Sequence, residues 1–173
     1  PLTHSVYEAR VLTEAAHKYG VVTQMGNQGH SGEGIRLICE WIWDGAIGDV
    51  REVHAWTDRP VWRQGLDRPT DTPPVPENMD WDLWLGPAPK RPYHPIYHPF
   101  AWRARVDFGT GALGDMACHI LDPVSWALKL KYPVSVEGSY VANVIRDWEK
   151  QGVEESYPLG SIIHLEYPAR ESM

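Results

Sequence analysis

The sequence predicts two kinds of architecture in succession: an α/β unit over residues 1–28, then an α+β domain with an open, mainly antiparallel sheet over residues 29–173. Three observations lead there. A helical pattern, a glycine and a short β-branched run open the chain, which is the order of one αβ unit of a parallel sheet. The remainder runs helix, strand, long loop, helix, strand, strand, an order that suits an α+β domain. Finally, one αβ unit cannot bury both faces of its strand, so residues 1–28 read as the end of a larger α/β domain.

Ser5 and Glu8 stand at capping-box spacing, and Val6, Ala9, Leu12, Ala15, Ala16 and Tyr19 then recur at helical intervals. Gly20 occupies the position where a helix is commonly closed. Residues 21–25 form a short apolar run expected to be a strand, ending in Gly26-Asn27-Gln28-Gly29. A second helix is expected over 34–43, with Ile35, Ile38, Cys39 and Ile42 on one face and Gly45 closing it. Residues 50–56 read as a strand. Residues 58–100 form a long connection broken by Trp81-Asp82-Leu83-Trp84-Leu85. A third helix is expected over 112–128, kinked or interrupted by Pro123. Strand-like runs over 134–144 and 161–167 follow. Because the chain stops just after a strand-like run, its last sheet is expected to be incomplete.

The bulk chemistry narrows the function. A net charge of −7 and a pI near 5.6 offer nothing to neutralise a phosphate backbone, so a nucleic-acid partner is not expected. No apolar run is long enough for a membrane span. Cys39 and Cys118 fall in apolar helical patterns and read as two buried free thiols of a reducing compartment. With no secretory leader in the sequence, a cytoplasmic location is expected. The chain has nine Trp, eight Tyr and fifteen Pro, and many of these aromatics lie between residues 56 and 102 together with most of the prolines. An aromatic, proline-rich loop of this kind reads as an ordered surface, either against a partner domain or around a polar substrate.

The strongest local motif is Gly109-Thr110-Gly111-Ala112-Leu113-Gly114-Asp115-Met116-Ala117-Cys118-His119-Ile120-Leu121-Asp122. Asp115 and His119 are four apart, which puts both on one helix face. An Asp beside a His can orient the imidazole and stabilise its protonated form, as a general base requires. A helix-capping Asp with a hydrogen-bonded core histidine is the alternative. His94 and His98 lie in the paired Tyr93-His94-Pro95 and Tyr97-His98-Pro99; their prolines forbid helical metal-ligand spacing, so no metal site is expected.

That motif resembles the second signature of the Gfo/Idh/MocA oxidoreductases. Pro1-Leu2-Thr3-His4-Ser5, Met25-Gly26-Asn27-Gln28-Gly29-His30-Ser31, residues 80–89 and Arg91-Pro92-Tyr93-His94-Pro95 are similar to a bacterial, sugar-dehydrogenase-like subgroup of that family. The resemblance implies that residues 1–28 are the tail of a Rossmann-type dinucleotide domain. It further implies an NAD or NADP cofactor, with Asp115 and His119 as catalytic residues. Pro1 aligns with the last residue of the family's Glu-Lys-Pro signature, so the catalytic lysine and the Gly-rich phosphate turn are expected upstream of this sequence. The chain is accordingly expected to be an internal piece, inactive when isolated.

Asn27, Gln28, Trp102 and Arg103 are candidate cofactor contacts, against simple turn and surface-stacking roles. His30, Trp81, Trp84, Tyr93 and His94 are candidate substrate contacts, because aromatic faces pack on sugar C–H surfaces. An interface is the other reading of the aromatic loop. The implied activity is hydride transfer on a sugar, sugar derivative or polyol. Glycoside cleavage through a keto-sugar, or a non-catalytic carbohydrate-binding or assembly domain, are the alternatives. A homo-oligomer formed through the open sheet is expected from the resemblance.

Overall fold

The computed structural model describes residues 3–144, 148–151 and 154–170. Pro1 and Leu2, which the resemblance uses, and the final residues 171–173 lie outside the described residues.

Helix α1 (Val6–Tyr19) starts at the expected capping box. The Glu8 amide donates to Ser5 Oγ at 3.2 Å, and the Ser5 amide donates to Glu8 Oε2 at 3.0 Å. Gly20 closes it in the left-handed region. No residue of α1 is buried, so its apolar side chains Val6, Tyr7, Leu12 and Tyr19 face outward. The strand expected over 21–25 is absent. Residues 21–27 have no regular structure, and Val22 is 98% exposed. A strand exists only through a hydrogen-bonded neighbour, and none of the described residues supplies one here. Of the αβ unit expected here, the helix is present and the strand is not.

Helix α2 (Glu33–Trp43) buries Ile35 and Cys39, and Trp43 Nε1 donates to the Ala127 carbonyl at 2.8 Å. The strand expected over 50–56 is also absent, for the same lack of a ladder partner. The aromatic connection is ordered. Helix α3 (Trp81–Leu85) is capped by Asp80, whose side chain accepts from the Leu83 amide. The single helix expected over 112–128 is two: α4 (Gly111–Ile120) and α5 (Asp122–Ala127), with Pro123 in the first turn of α5. Proline lacks the amide that would continue α4 but is preset for a helix start.

Strand β1 (Ser135–Val141) pairs antiparallel with β4 (Gly160–Glu166), and β2 (Asn143–Val144) pairs with β3 (Lys150–Gln151). The expected run over 134–144 is interrupted at Ala142. Among the described residues, two small antiparallel sheets therefore stand where one open sheet is expected, and every residue of β1 is exposed.

The centre of the fold is held by charge and aromatic rings more than by aliphatic packing. Arg105 and Tyr97 are almost wholly buried, and Arg91 nearly so. Glu155 accepts from Arg68 Nη2 at 2.8 Å and from Arg91 Nη1 at 2.5 Å, and it lies 3.9 Å from Arg105. Arg91 also pairs with Asp107 and lies over the rings of Phe108 and Tyr97. Arg105 donates to the carbonyls of Leu66 and Asp67. Backbone bonds from Val106 to Glu155 and from Tyr157 to Ala104 staple the two chain segments around these charges.

Burial pushes the Glu155 carboxyl up, but hydrogen bonds from Arg68 and Arg91, with their charges, outweigh it and hold the group below the ordinary carboxylate range. Burial depresses Arg105, and the facing Glu155 only partly offsets this. Removing one partner of a buried pair strands the other charges. The Glu155→Ala variant is therefore expected to lose about 3–5 kcal/mol in urea denaturation. A depressed folded-state pKa contributes stability that is complete above the unfolded value of about 4.3 and is lost as pH falls through the folded value. Acidification across that window is expected to weaken the wild-type chain more than Glu155→Gln.

Candidate active site on the polar flank of α4

Helix α4 is set in place by its first turn. Gly111 has φ 61°, and a Cβ there would lie 2.6 Å from the Tyr157 side chain. A Cβ at Gly109 would lie 2.5 Å from the Arg103 carbonyl oxygen. These glycines let the turn before α4 close against Arg103 and Tyr157. Gln64 completes the anchor: its Oε1 accepts from the Ala112 amide and from Trp62 Nε1, both at 2.9 Å, and its Nε2 donates to the Pro158 carbonyl.

The apolar side of α4, with Leu113, Met116, Ala117 and Ile120, borders a broad open space that also touches residues 49–57 and the β1–β4 sheet. Asp115 and His119 do not border that space. They lie on the other flank, where other candidate residues bond to Asp115, Cys118 and Asp122. Arg103, from the 3₁₀ turn Ala101–Ala104, donates from Nε to Asp115 Oδ1 at 3.2 Å. Its guanidinium lies 4.4 Å from the Phe100 ring and 4.7 Å from the Trp102 ring. Asn27 Nδ2 donates to the Cys118 carbonyl at 2.9 Å, although ninety-one residues separate the two in sequence. His30, in the 3₁₀ turn Gln28–Ser31, reaches Asp122 with Nδ1 at 2.9 and 3.0 Å from the two carboxylate oxygens. Its ring stacks on Trp126 at 4.5 Å.

Asp115 and His119 share a flank, as their spacing requires, but no hydrogen bond joins them among the described residues. Asp115 is held by Arg103 instead. Asp122 follows His119 by three residues and continues the same flank across the α4–α5 junction. Gln28 is exposed at the start of its turn.

The aromatic candidates are placed otherwise. Trp81 stacks on Trp84 at 4.7 Å, meets Tyr93 edge-on at 5.3 Å, and donates from Nε1 to the Arg91 carbonyl. Tyr93 is buried, while Trp81, Trp84 and His94 are half-buried. His94 accepts from the Ile96 amide at Nδ1 and has Asp71 near Nε2. His98 meets the Trp84 ring edge-on. This cluster packs around Tyr97, Phe108 and Arg91, where the rings satisfy one another. The structure does not join these residues to Asp115 and His119 by any described contact.

The domain model described as "Oxidoreductase family, C-terminal alpha/beta domain" matches residues 49–159, well over half of the sequence. The chain belongs to the Gfo/Idh/MocA oxidoreductase family. The Gfo/Idh/MocA match covers the aromatic cluster, Arg103, Asp115, His119 and the Glu155 hub, whereas Asn27, Gln28 and His30 precede it. The small antiparallel sheet and the helices of α4 and α5 are thus parts of that family's C-terminal domain. A search of curated proteins gives no match. No helix among the described residues is long and apolar enough to cross a membrane.

Three contributors escape a reading of the sequence: Gln64, Asp122 and Glu155. Only Asp122 leaves a signal, three residues after His119; the other two act through partners distant in sequence. Cys118 is also corrected, since it is exposed on the polar flank with Sγ 3.3 Å from the Asp115 carbonyl, while Cys39 is buried. Burial, followed by the charges of Asp122 and Glu40, pushes the Cys39 thiol up. Thiolate is the reactive form. A maleimide is therefore expected to label one thiol of the native chain rapidly, with the peptide map placing it at Cys118, and Cys39 only after denaturation.

Proposed function

We propose that this family member acts as the substrate side of an NAD(P)-dependent oxidoreductase whose substrate is a sugar, sugar derivative or polyol. The observation that carries the reading is the α4–α5 segment that bears His119: Arg103 holds Asp115 there, and Asn27 and His30, from a segment about ninety residues earlier in sequence, bond to Cys118 and Asp122. Oxidation of an alcohol needs a group to take the hydroxyl proton, and imidazole suits that task near neutral pH.

The donor set on this flank fits the nicotinamide end of a dinucleotide. Asn27 Oδ1 is buried without a hydrogen-bond partner among the described residues, an acceptor that a carboxamide N–H would satisfy. Arg103 adds a partly exposed cation steadied by Phe100 and Trp102. When bound, the cofactor supplies the electron sink of the reaction. Asn27 would hold the carboxamide, and Asp115 would keep Arg103 extended along the flank. His119 and Asp115 meet the substrate hydroxyls, and an imidazole of this flank receives the proton.

Trp81, Trp84, Tyr93 and His94 enter this proposal as the wall behind the site, since their packed rings leave edges rather than whole faces for a sugar. An acidic chain also disfavours anionic substrates except where Arg103 offsets the charge.

The test is turnover. In the polypeptide that includes the dinucleotide domain, NAD(P)H formation is expected with a polyol or aldose panel. The His119→Asn variant is expected to lower kcat/KM at least about tenfold, equivalent to about 1.4 kcal/mol of transition-state stabilisation. Unchanged kcat/KM in that variant, or no reduction of either nicotinamide with any member of the panel, would contradict the reading.

A further inference from the structure

His119 is exposed, and its ring has no hydrogen-bond partner among the described residues, since Asp115 is engaged by Arg103. Its place on α4 is therefore set by the backbone that carries it. That backbone lies where the helix runs out of its own bonds. The ladder of α4 ends with the Leu121 amide on the Ala117 carbonyl, and the next two carbonyls are those of Cys118 and His119. A continuing helix would give the His119 carbonyl the amide of residue 123, which is proline and has none.

The Cys118 carbonyl takes its bond from a distant segment: Asn27 Nδ2 donates to it at 2.9 Å. This oxygen belongs to the planar peptide group that ends in the His119 nitrogen, so the bond holds the plane from which His119 departs. A second grip lies beyond His119. His30 Nδ1 meets the two oxygens of Asp122 at 2.9 and 3.0 Å, and its ring stacks on Trp126 at 4.5 Å. The His30 amide in turn donates to the Asn27 carbonyl at 3.1 Å. Residues 27–30 thus bracket His119, holding the chain at Cys118 before it and at Asp122 after it.

The Asn27 amide has a fixed sense. A carbonyl only accepts, so Nδ2 must face Cys118 and Oδ1 must face away. Oδ1 is the buried acceptor that finds no partner among the described residues. The His30 contacts alone would dock the two segments on each other. Docking does not explain an open, buried acceptor on the residue that holds the His119 peptide.

We propose that Asn27 is a positioning residue for His119, acting through the Cys118–His119 peptide, and that one amide group serves both base and cofactor: Nδ2 on the peptide, Oδ1 toward the carboxamide. This rests on the oxidoreductase reading above, in which His119 takes the hydroxyl proton, and it gives Asn27 a second role there. With Oδ1 satisfied, the amide loses its remaining freedom, and its grip on the His119 peptide is firmest.

Two variants separate the two ends of the amide. Asn27→Asp keeps an acceptor in place of Oδ1 and removes the donor to Cys118, whereas Asn27→Ala removes both without adding charge. In this chain alone, both are expected to shift and broaden the backbone amide signals of residues 118–120, with the amides of α2 in place to show that the fold is kept. Unchanged signals at 118–120 in both variants would overturn the proposal whatever the enzyme's activity. In the polypeptide with its dinucleotide domain, both are expected to lower kcat about tenfold, with KM for the alcohol within about twofold of wild type. KM for the nicotinamide cofactor should rise in Asn27→Ala and stay near wild type in Asn27→Asp. Lost thermal stability with kcat unchanged would mark Asn27 as merely structural and overturn the positioning role, leaving the oxidoreductase reading intact. Absence of any turnover in the wild type would remove that reading, and the proposal with it.

Discussion

Glu155 is the constraint on which the rest of the structure depends. A carboxylate shared among Arg68, Arg91 and Arg105 ties four separate stretches of chain together where aliphatic core is scarce. Arg91 carries the aromatic cluster on its other side, through Tyr97 and Phe108. The neighbouring Ser156 and Tyr157 extend the tie: Ser156 Oγ accepts from the Gly65 amide and lies 3.0 Å from the Ala104 carbonyl, and Tyr157 Oη donates to the Gly109 carbonyl. These contacts fix the turn that precedes α4. The position of Asp115 and His119 is thus inherited from a buried ionic network whose members are remote from them in sequence.

Such an arrangement has a consequence for energetics. A buried ion pair gains little over an apolar replacement of the same shape but loses heavily when one member is removed. Nε of Arg91, with Nε and Nη2 of Arg105, finds no partner among the described residues, so the network is short of acceptors even when intact. Glu155 therefore has no spare neighbour to replace it. The rings stacked over the guanidinium groups supply part of the missing electrostatic compensation.

The helices were legible because their signals are local. Ser5, Glu8 and Gly20 bound α1 in sequence as they do in space, and Pro123 breaks the third helical pattern within its own turn. The strands were not, because a strand is a relation between two segments. Residues 21–25 and 50–56 have strand-like composition but no neighbour among the described residues, whereas residues 135–141 and 160–166 find each other. The site divides along the same line. The i,i+4 spacing of Asp115 and His119 correctly puts them on one flank, but it says nothing of Arg103, which takes the Asp115 carboxylate. Nor does it reveal that Asp122 takes His30 across ninety-two residues. The aromatic residues were readable as ordered, and their density in the loop hid that they pack chiefly on one another and on Arg91.

The central claim is that substrate meets the polar flank of α4 and α5. Backbone amide chemical shifts, followed while the chain is titrated with a polyol, test it most directly. The account predicts saturable shifts clustered at residues 27–31, 103 and 115–122. Shifts confined to residues 81–97, with the α4 flank silent, would contradict it.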